Sequence, residues 1–248
     1  MSDFTQCMLD RYAKDVKLAT TAPFLEKCGK HEISTEVLSD YLTQDKIYAF
    51  EGYPKFIAQL ITRLPLSSPS SRENLTLFSF ALQNVVRETG FFDSLGDRFG
   101  LNVHQPVSHL RTKNSQKKDD AESVAGSRLN ENTKAYVDFL IATGAEGNLD
   151  EGIVLLWAME RLYFMAWTHA GEQTPFDAPS ASSSSEPIKV ALTELINNWT
   201  CDEFEIFVSD CEKAVGRLNL KEGSEEWKRC EETFKRVVYL EKRFWPSI

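Results

Sequence analysis

Glycine and proline are sparse, at 12 and 9 of 248 residues, and they cluster between periodic segments. That argues against a fold of many short strands, which needs turn residues at close intervals. Basic residues are outnumbered: 28 Lys and Arg against 37 Asp and Glu give a formal net charge of −9. An acidic surface repels phosphate backbones and anionic lipid, so neither nucleic acid nor a membrane surface is expected as a partner. Long apolar runs are missing too. The longest, 152–159, is interrupted by Glu160 and Arg161 and falls far short of a bilayer span. The start, Met-Ser-Asp-Phe-Thr-Gln, lacks the basic and then apolar regions of a secretory signal. The five cysteines are odd in number and form no Cys-x-x-Cys, which suits buried thiols in a reducing compartment; a cytoplasmic location is the expectation.

Several chemical signatures are also absent. There is no Gly-x-Gly-x-x-Gly, no Gly-x-x-x-x-Gly-Lys and no Gly-x-Ser-x-Gly. The four histidines, His31, His104, His109 and His169, have no Glu three residues before them and no spacing that faces one metal from one helix. Metal and haem chemistry are not expected, and no cofactor is implied.

What is present is helical periodicity. Residues 3–18 put Phe4, Cys7, Met8 and Tyr12 on one face. A short helix follows at 23–29. Ser34 opens the next, 37–64, as an N-cap, and Pro54 inside it predicts a kink near Gly52 and Tyr53. A helix over 72–98 carries Leu75, Phe78, Leu82, Val85 and Val86 as its core stripe. Further helices are expected at 131–144, 149–170, 187–199, 201–216 and 224–246. Two polar segments, about 111–130 and the serine-rich 171–187, read as loops or insertions. The expected architecture is an all-α helical bundle forming one domain over 1–248.

Three carboxylates stand inside apolar or aromatic stretches. Asp45 and Tyr48 are three apart and share a helix face, as do Glu160 and Tyr163. Glu241 lies in Tyr-Leu-Glu-Lys-Arg-Phe-Trp, residues 239–245, on the last helix. Read singly, each has an ordinary alternative: Asp45 beside Lys46 as a wet helix face, Glu160 paired with Arg161, Glu241 on a charged face with Lys242 and Arg243. Periodicity alone leaves a helical bundle of open function.

Taken together, Gln44-Asp45-x-x-Tyr48, Glu160-x-x-Tyr163 and Glu241-x-x-Phe244-Trp245 resemble the TenA (thiaminase-II-like) family, with a weaker match at Asn198-Trp199-x-x-x-Glu203-Phe204. The resemblance covers nearly the whole chain apart from the polar segments. It implies a haem-oxygenase-like all-α fold, a homo-oligomer (dimer or tetramer), and action on the pyrimidine half of thiamin. By the same resemblance Asp45 binds the ring nitrogen and exocyclic amine, Tyr48 and Tyr163 are pocket tyrosines, Tyr136 stacks on the ring, and Glu241 is an acid or base. The nucleophilic cysteine of the better-known branch has no counterpart, since residues 150–170 contain no cysteine. Thiolate catalysis does not transfer, and Glu160 stands in that neighbourhood instead. Trp199 occurs where the cysteine branch tends to have a tyrosine.

The implied reaction is hydrolysis of an amino- or formylamino-methylpyrimidine to hydroxymethylpyrimidine in thiamin salvage, and the two departures, the missing cysteine and Trp199, weigh against cleavage of intact thiamin. It needs an oriented water and a protonated leaving nitrogen. Glu160 and Glu241 can supply both if burial beside Trp157, Tyr163 and Trp245 moves their pKa values. The flat ring would be held by Tyr48, Tyr136 or Trp199. The competing reading is a non-catalytic helical protein that binds a pyrimidine or regulates a partner.

Overall fold

The computed structural model of the chain describes residues 3–65, 67–103, 129–175 and 186–248. Its helices are α1 (Phe4–Arg11), α2 (Ala13–Thr20), α3 (Pro23–Gly29), α4 (Thr35–Ile47), a π-helical turn (Tyr48–Gly52), α5 (Tyr53–Thr62), α6 (Pro69–Phe99), α7 (Glu131–Glu146), α8 (Leu149–Glu172), α9 (Pro187–Trp199), α10 (Asp202–Arg217) and α11 (Glu225–Phe244). Among the described residues there is no strand. His104, His109, most of the expected 111–130 insertion and the serines at 180 and 182–185 lie outside the described residues.

The bundle is organised around α8. Asn148 and Glu151 close its first turn with a reciprocal capping box. Every residue from Gly152 to Glu160 is buried, so this helix has no wet side along its middle, as expected of a helix apolar all round. It packs against α2, α3, α9, α10 and α11. At Gly29 a Cβ would strike the carbonyl oxygen of Ala170, so only glycine lets α3 lie this close to α8. In contrast, α11 is strongly amphipathic, burying Trp227, Cys230, Phe234, Val237, Val238, Glu241 and Phe244 at three- and four-residue spacing.

Three details differ from the periodicity. First, 3–18 is two helices, broken at Tyr12, whose backbone leaves the helical region and whose hydroxyl donates to Glu231 of α11 at 2.7 Å. A long-range anchor overrides local continuity there. Second, the core stripe of α6 is Phe78, Ala81, Val85, Phe92 and Leu95; Leu75 and Val86 are 44% and 70% exposed. They lie on the flank of the stripe, and the packing of α6 on α5, α9 and α10 leaves that flank toward solvent. Third, α8 continues to Glu172, past the expected end at 170.

Two other features follow the local signals. Ser34 caps α4, accepting from the Val37 amide at 3.3 Å. The kink before Pro54 takes the form of the π turn Tyr48–Gly52, after which Pro54 sits in the first turn of α5, where its missing N–H costs nothing. Among the described residues no helix is long and apolar enough to cross a membrane.

Candidate functional site

Four of the chain's carboxylates converge on one cavity. It is lined by Asp45 of α4, Glu88 of α6, Glu160 of α8 and Glu241 of α11, with Tyr48 and Tyr53 from the π turn and α5, Tyr136 of α7, Tyr163 of α8 and Asn84 of α6. Met159, Phe204 and Phe244 supply apolar wall. The cavity has a volume of about 40 Å³ and opens to solvent at its mouth.

Each carboxylate is held by tyrosine or tryptophan. Asp45 Oδ2 accepts from Tyr163 at 2.8 Å and from Tyr41 at 3.3 Å, and the two hydroxyls lie 2.9 Å apart. Glu160 Oε1 accepts from Tyr53 at 2.6 Å. Glu241 Oε2 accepts from Tyr136 at 3.0 Å, while its buried Oε1 has no partner among the described residues. Glu88 Oε1 accepts from Trp199 Nε1 at 2.5 Å. Tyr48 donates to Met159 Sδ at 2.9 Å, and its ring lies 4.9 Å from Tyr136 and 5.5 Å from Phe244. These three rings offer apolar faces to a flat ligand.

The site is therefore electrostatically unusual. Burial pushes Glu160 up to about 8, helped by the charges of Glu88 and Asp45 and opposed by the Tyr53 hydroxyl. Burial likewise pushes Glu241 up to about 8, against the Tyr136 hydrogen bond and with Asp45 and Glu160 adding to it. Asp45 is raised by burial and by Glu88; Glu88, which keeps some contact with solvent, is raised by burial against the Trp199 hydrogen bond. Tyr48, Tyr53, Tyr136 and Tyr163 are all raised well above their ordinary range by burial, so they stay neutral. Four carboxyls that feel one another in one secluded space cannot all ionise, and they hold protons to near-neutral pH.

The TENA/THI-4/PQQC family profile matches residues 17–248. The chain belongs to that family. A TenA homologue from Pyrococcus furiosus superposes with a TM-score of 0.76 at 21% identity, covering 98% of each chain. A TenA homologue from P. horikoshii OT3 superposes at 0.72 and 17%, covering 98% of this chain and 97% of that one. These likenesses establish the all-α TenA fold. A Fusarium pseudograminearum protein named "Probable transcription factor" is 25% identical over 278 residues, a match that takes in 98% of this chain and spans about half, 51%, of that longer relative.

Within this TENA/THI-4/PQQC-family chain, six of the residues singled out in the sequence meet at the cavity: Asp45, Tyr48, Tyr136, Glu160, Tyr163 and Glu241. Their pairing is not the one suggested by helical spacing. Asp45 binds Tyr163 rather than its helix neighbour Tyr48, and Glu160 binds Tyr53 rather than Tyr163. Glu160 makes no ion pair with Arg161 among the described residues. Lys46 is itself buried and reaches Asp93, so its side of α4 is not simply wet.

Trp199 does not line this cavity. It stands one layer back, 4.4 Å from Trp167 and 5.2 Å from Tyr163 between ring centres, with its N–H spent on Glu88. Trp157 and Trp245 are also core: the first stacks on Phe234 at 5.5 Å, and the second donates to Ala19 O at 2.7 Å. Met159, Phe204 and Phe244, rather than these tryptophans, form the apolar wall at the carboxylates. Cys211 of α10 is the thiol that feels Glu160; burial holds its pKa well above the ordinary thiol value, so it offers no thiolate. Among the described residues no group of three or more His, Cys, Asp and Glu is arranged to hold a metal ion.

Sequence reasoning passed over Tyr53 and Glu88. Tyr53 stood next to the expected kink. Glu88 was flanked by Arg87 and Thr89, which are polar. A signal for it did exist: Ala81, Val85, Glu88, Phe92 and Leu95 continue the buried stripe of α6 at alternating steps of four and three, and Glu88 is its one charged member.

Proposed function

We propose that this chain is a hydrolase of thiamin salvage. It acts on an amino- or formylamino-methylpyrimidine and releases hydroxymethylpyrimidine. The observation that carries the reading is the pair Glu160 and Glu241. Both are buried, both line one cavity with Asp45, and both are poised at a pKa of about 8. General acid–base catalysis works best with groups whose pKa lies near the working pH.

In this reading Asp45, held by Tyr163 and Tyr41, binds the ring nitrogen and exocyclic amine. Tyr48, Tyr136 and Phe244 hold the ring between them. Glu160, in its ionised form, takes a proton from water as the water oxygen bonds to the exocyclic carbon. Glu241, in its protonated form, gives its proton to a departing nitrogen that arrives neutral, as in the formyl substrate, while the carbon–nitrogen bond breaks; an amine that arrives protonated leaves without needing that proton. Ammonia leaves from the amine substrate and formamide from the formyl one, and proton exchange with solvent resets both acids. The exchange of roles between Glu160 and Glu241 is chemically equivalent. The unpartnered Oε1 of Glu241 is an atom to which a substrate N–H can donate. A homo-oligomer, dimer or tetramer, belongs to the same reading, and light scattering measures its mass.

The test is to incubate pure protein with aminomethylpyrimidine, its formyl derivative and thiamin, and to follow hydroxymethylpyrimidine. Product from either of the first two, lost in Glu160→Gln, supports the reading. No product from any of them, with wild type and variant alike, overturns it. Binding of the pyrimidine without turnover would favour the competing, non-catalytic reading; the name of the Fusarium relative belongs to a protein about twice this length.

A further inference from the structure

The cavity adjoins a second, outer hollow of about 200 Å³, whose lining includes Arg87, Trp199 and Glu203. Three residues line both spaces: Asn84, Glu88 and Phe204. Glu88 therefore stands at the threshold between them. It is fixed from behind by Trp199, whose Nε1 donates to its Oε1 at 2.5 Å. The adjacent cation does not neutralise it: the Arg87 guanidinium is engaged by Glu203 at 3.2 Å and by Asn84 Oδ1 at 3.0 Å. Among the described residues no Lys, Arg or His lines the inner cavity. Inside it, Glu241 Oε1 is buried and has no partner among those residues.

A space with four carboxyls, neutral tyrosines and no cation lacks one thing, a positive charge. A ligand that brings one relieves the repulsion among the carboxyls and lets more than one of them ionise. A neutral ligand of the same shape brings no such relief. From this we propose that Glu88 is a specificity residue that selects a ring carrying a protonated aminomethyl group over its neutral analogues, the formylamino derivative included. The proposal rests on the pyrimidine reading of the site and assigns a role to a residue that reading does not use. Trp199 is then a positioning residue, acting through Glu88. Around Glu88 the titratable neighbours are Asp45 on α4 and Glu160 and Tyr163 on α8, each of which feels its charge, with Arg87 on α6 tied to Glu203 on α10.

The test uses the full chain and two probes of nearly equal shape, aminomethylpyrimidine and the neutral hydroxymethylpyrimidine, titrated calorimetrically at pH 7. Wild type should prefer the amine by about tenfold or more, the scale of a charge-assisted hydrogen bond. Glu88→Gln should bring that ratio close to one by weakening the amine far more than the neutral probe, and Glu88→Asp, which keeps the charge, should retain part of it. Trp199→Phe keeps a ring but loses the donor that favours ionised Glu88, so its preference should emerge at higher pH than in wild type. A purely structural role would weaken both probes equally at every pH.

An unchanged ratio in Glu88→Gln, an equal loss for both probes, or no binding of either by wild type overturns the proposal. Turnover is scored separately. A wild type that prefers the amine in binding yet forms no product sinks the hydrolase reading and leaves the assignment of Glu88 standing.

Discussion

Two sets of carboxylates in this chain carry opposite pKa shifts. On the surface, Asp15 is held below its ordinary value by Lys242 at 2.8 Å, and Glu26 is held down by Lys30 one turn away. In the cavity, Asp45, Glu88, Glu160 and Glu241 are all raised, with burial the first cause in every case. The boundary runs between adjacent residues of α11: Glu241 is 2% exposed, whereas Lys242 reaches outward to Asp15. Surface carboxylates meet ammonium groups in high dielectric, which favours the charged form. The cavity carboxylates meet neutral hydroxyls, which offset only part of the cost of burying a charge. Charge type in the sequence is the same in both places; the environment inverts its meaning.

The largest effect should come from removing a cavity carboxyl. Glu160→Gln and Glu241→Gln should each lower turnover by about 10²–10⁴-fold, while Lys242→Ala, one residue from Glu241, leaves turnover unchanged. Steady-state rates of hydroxymethylpyrimidine formation check this, and equal losses in Glu241→Gln and Lys242→Ala would erase the distinction between the two faces of α11.

The second effect is on stability, and its sign is opposite for the two sets. Glu160 and Glu241 have folded pKa values of about 8 against an ordinary 4.5. Between those values the folded state binds more protons than the unfolded one, so stability falls as pH rises, by at most about 1.4 kcal/mol per pH unit for each group. The stabilising contribution is fully present below about 4.5 and is lost through about 8. Melting curves should show wild type less stable at pH 8.5 than at pH 6, and Glu241→Gln should flatten that slope and exceed wild type at the higher pH. A wild-type stability that rises over this range would contradict the raised values.

A smaller effect sharpens the role of the tyrosines. Tyr53→Phe removes the donor that pulls the Glu160 pKa down, so that pKa moves higher still. The acid limb of the pH–rate profile should shift to higher pH, with turnover at pH 7 reduced by about tenfold. An unmoved limb would mean that Glu160 is not the group being titrated. The smallest effect belongs to the surface. Lys242→Ala should lower melting at pH 7, where Asp15 is ionised, by a small amount only, as befits an exposed ion pair. That contribution disappears as pH falls through the folded pKa of Asp15, the reverse of the cavity's direction.

Much of the architecture was legible because helices announce themselves locally. The Ser34 cap, the punctuation around Pro54, the continuous apolar run of α8 and the periodic face of α11 each act within a turn or two of chain. The errors came where a distant contact won: Tyr12 leaves its helix where its hydroxyl meets Glu231, and the face of α6 turned toward the core excludes Leu75 and Val86. The site was half legible in the same sense. Residue types and spacing, read with the family's motifs, identified Asp45, Tyr48, Tyr136, Glu160, Tyr163 and Glu241. They did not identify which hydroxyl holds which carboxylate.

The sequence by itself therefore determined the helices, the family and the residues able to do acid–base chemistry, because those are properties of side chains and short-range periodicity. Only the tertiary structure decided that Glu88 and Tyr53 belong to the site, that Trp199 stands behind it, and that the four carboxyls share one cavity. The physical reason is that burial is not a property of a residue. A glutamate on a helix is an ordinary surface acid until other helices close over it, and here α6, α8 and α11 arrive from distant parts of the chain to do so.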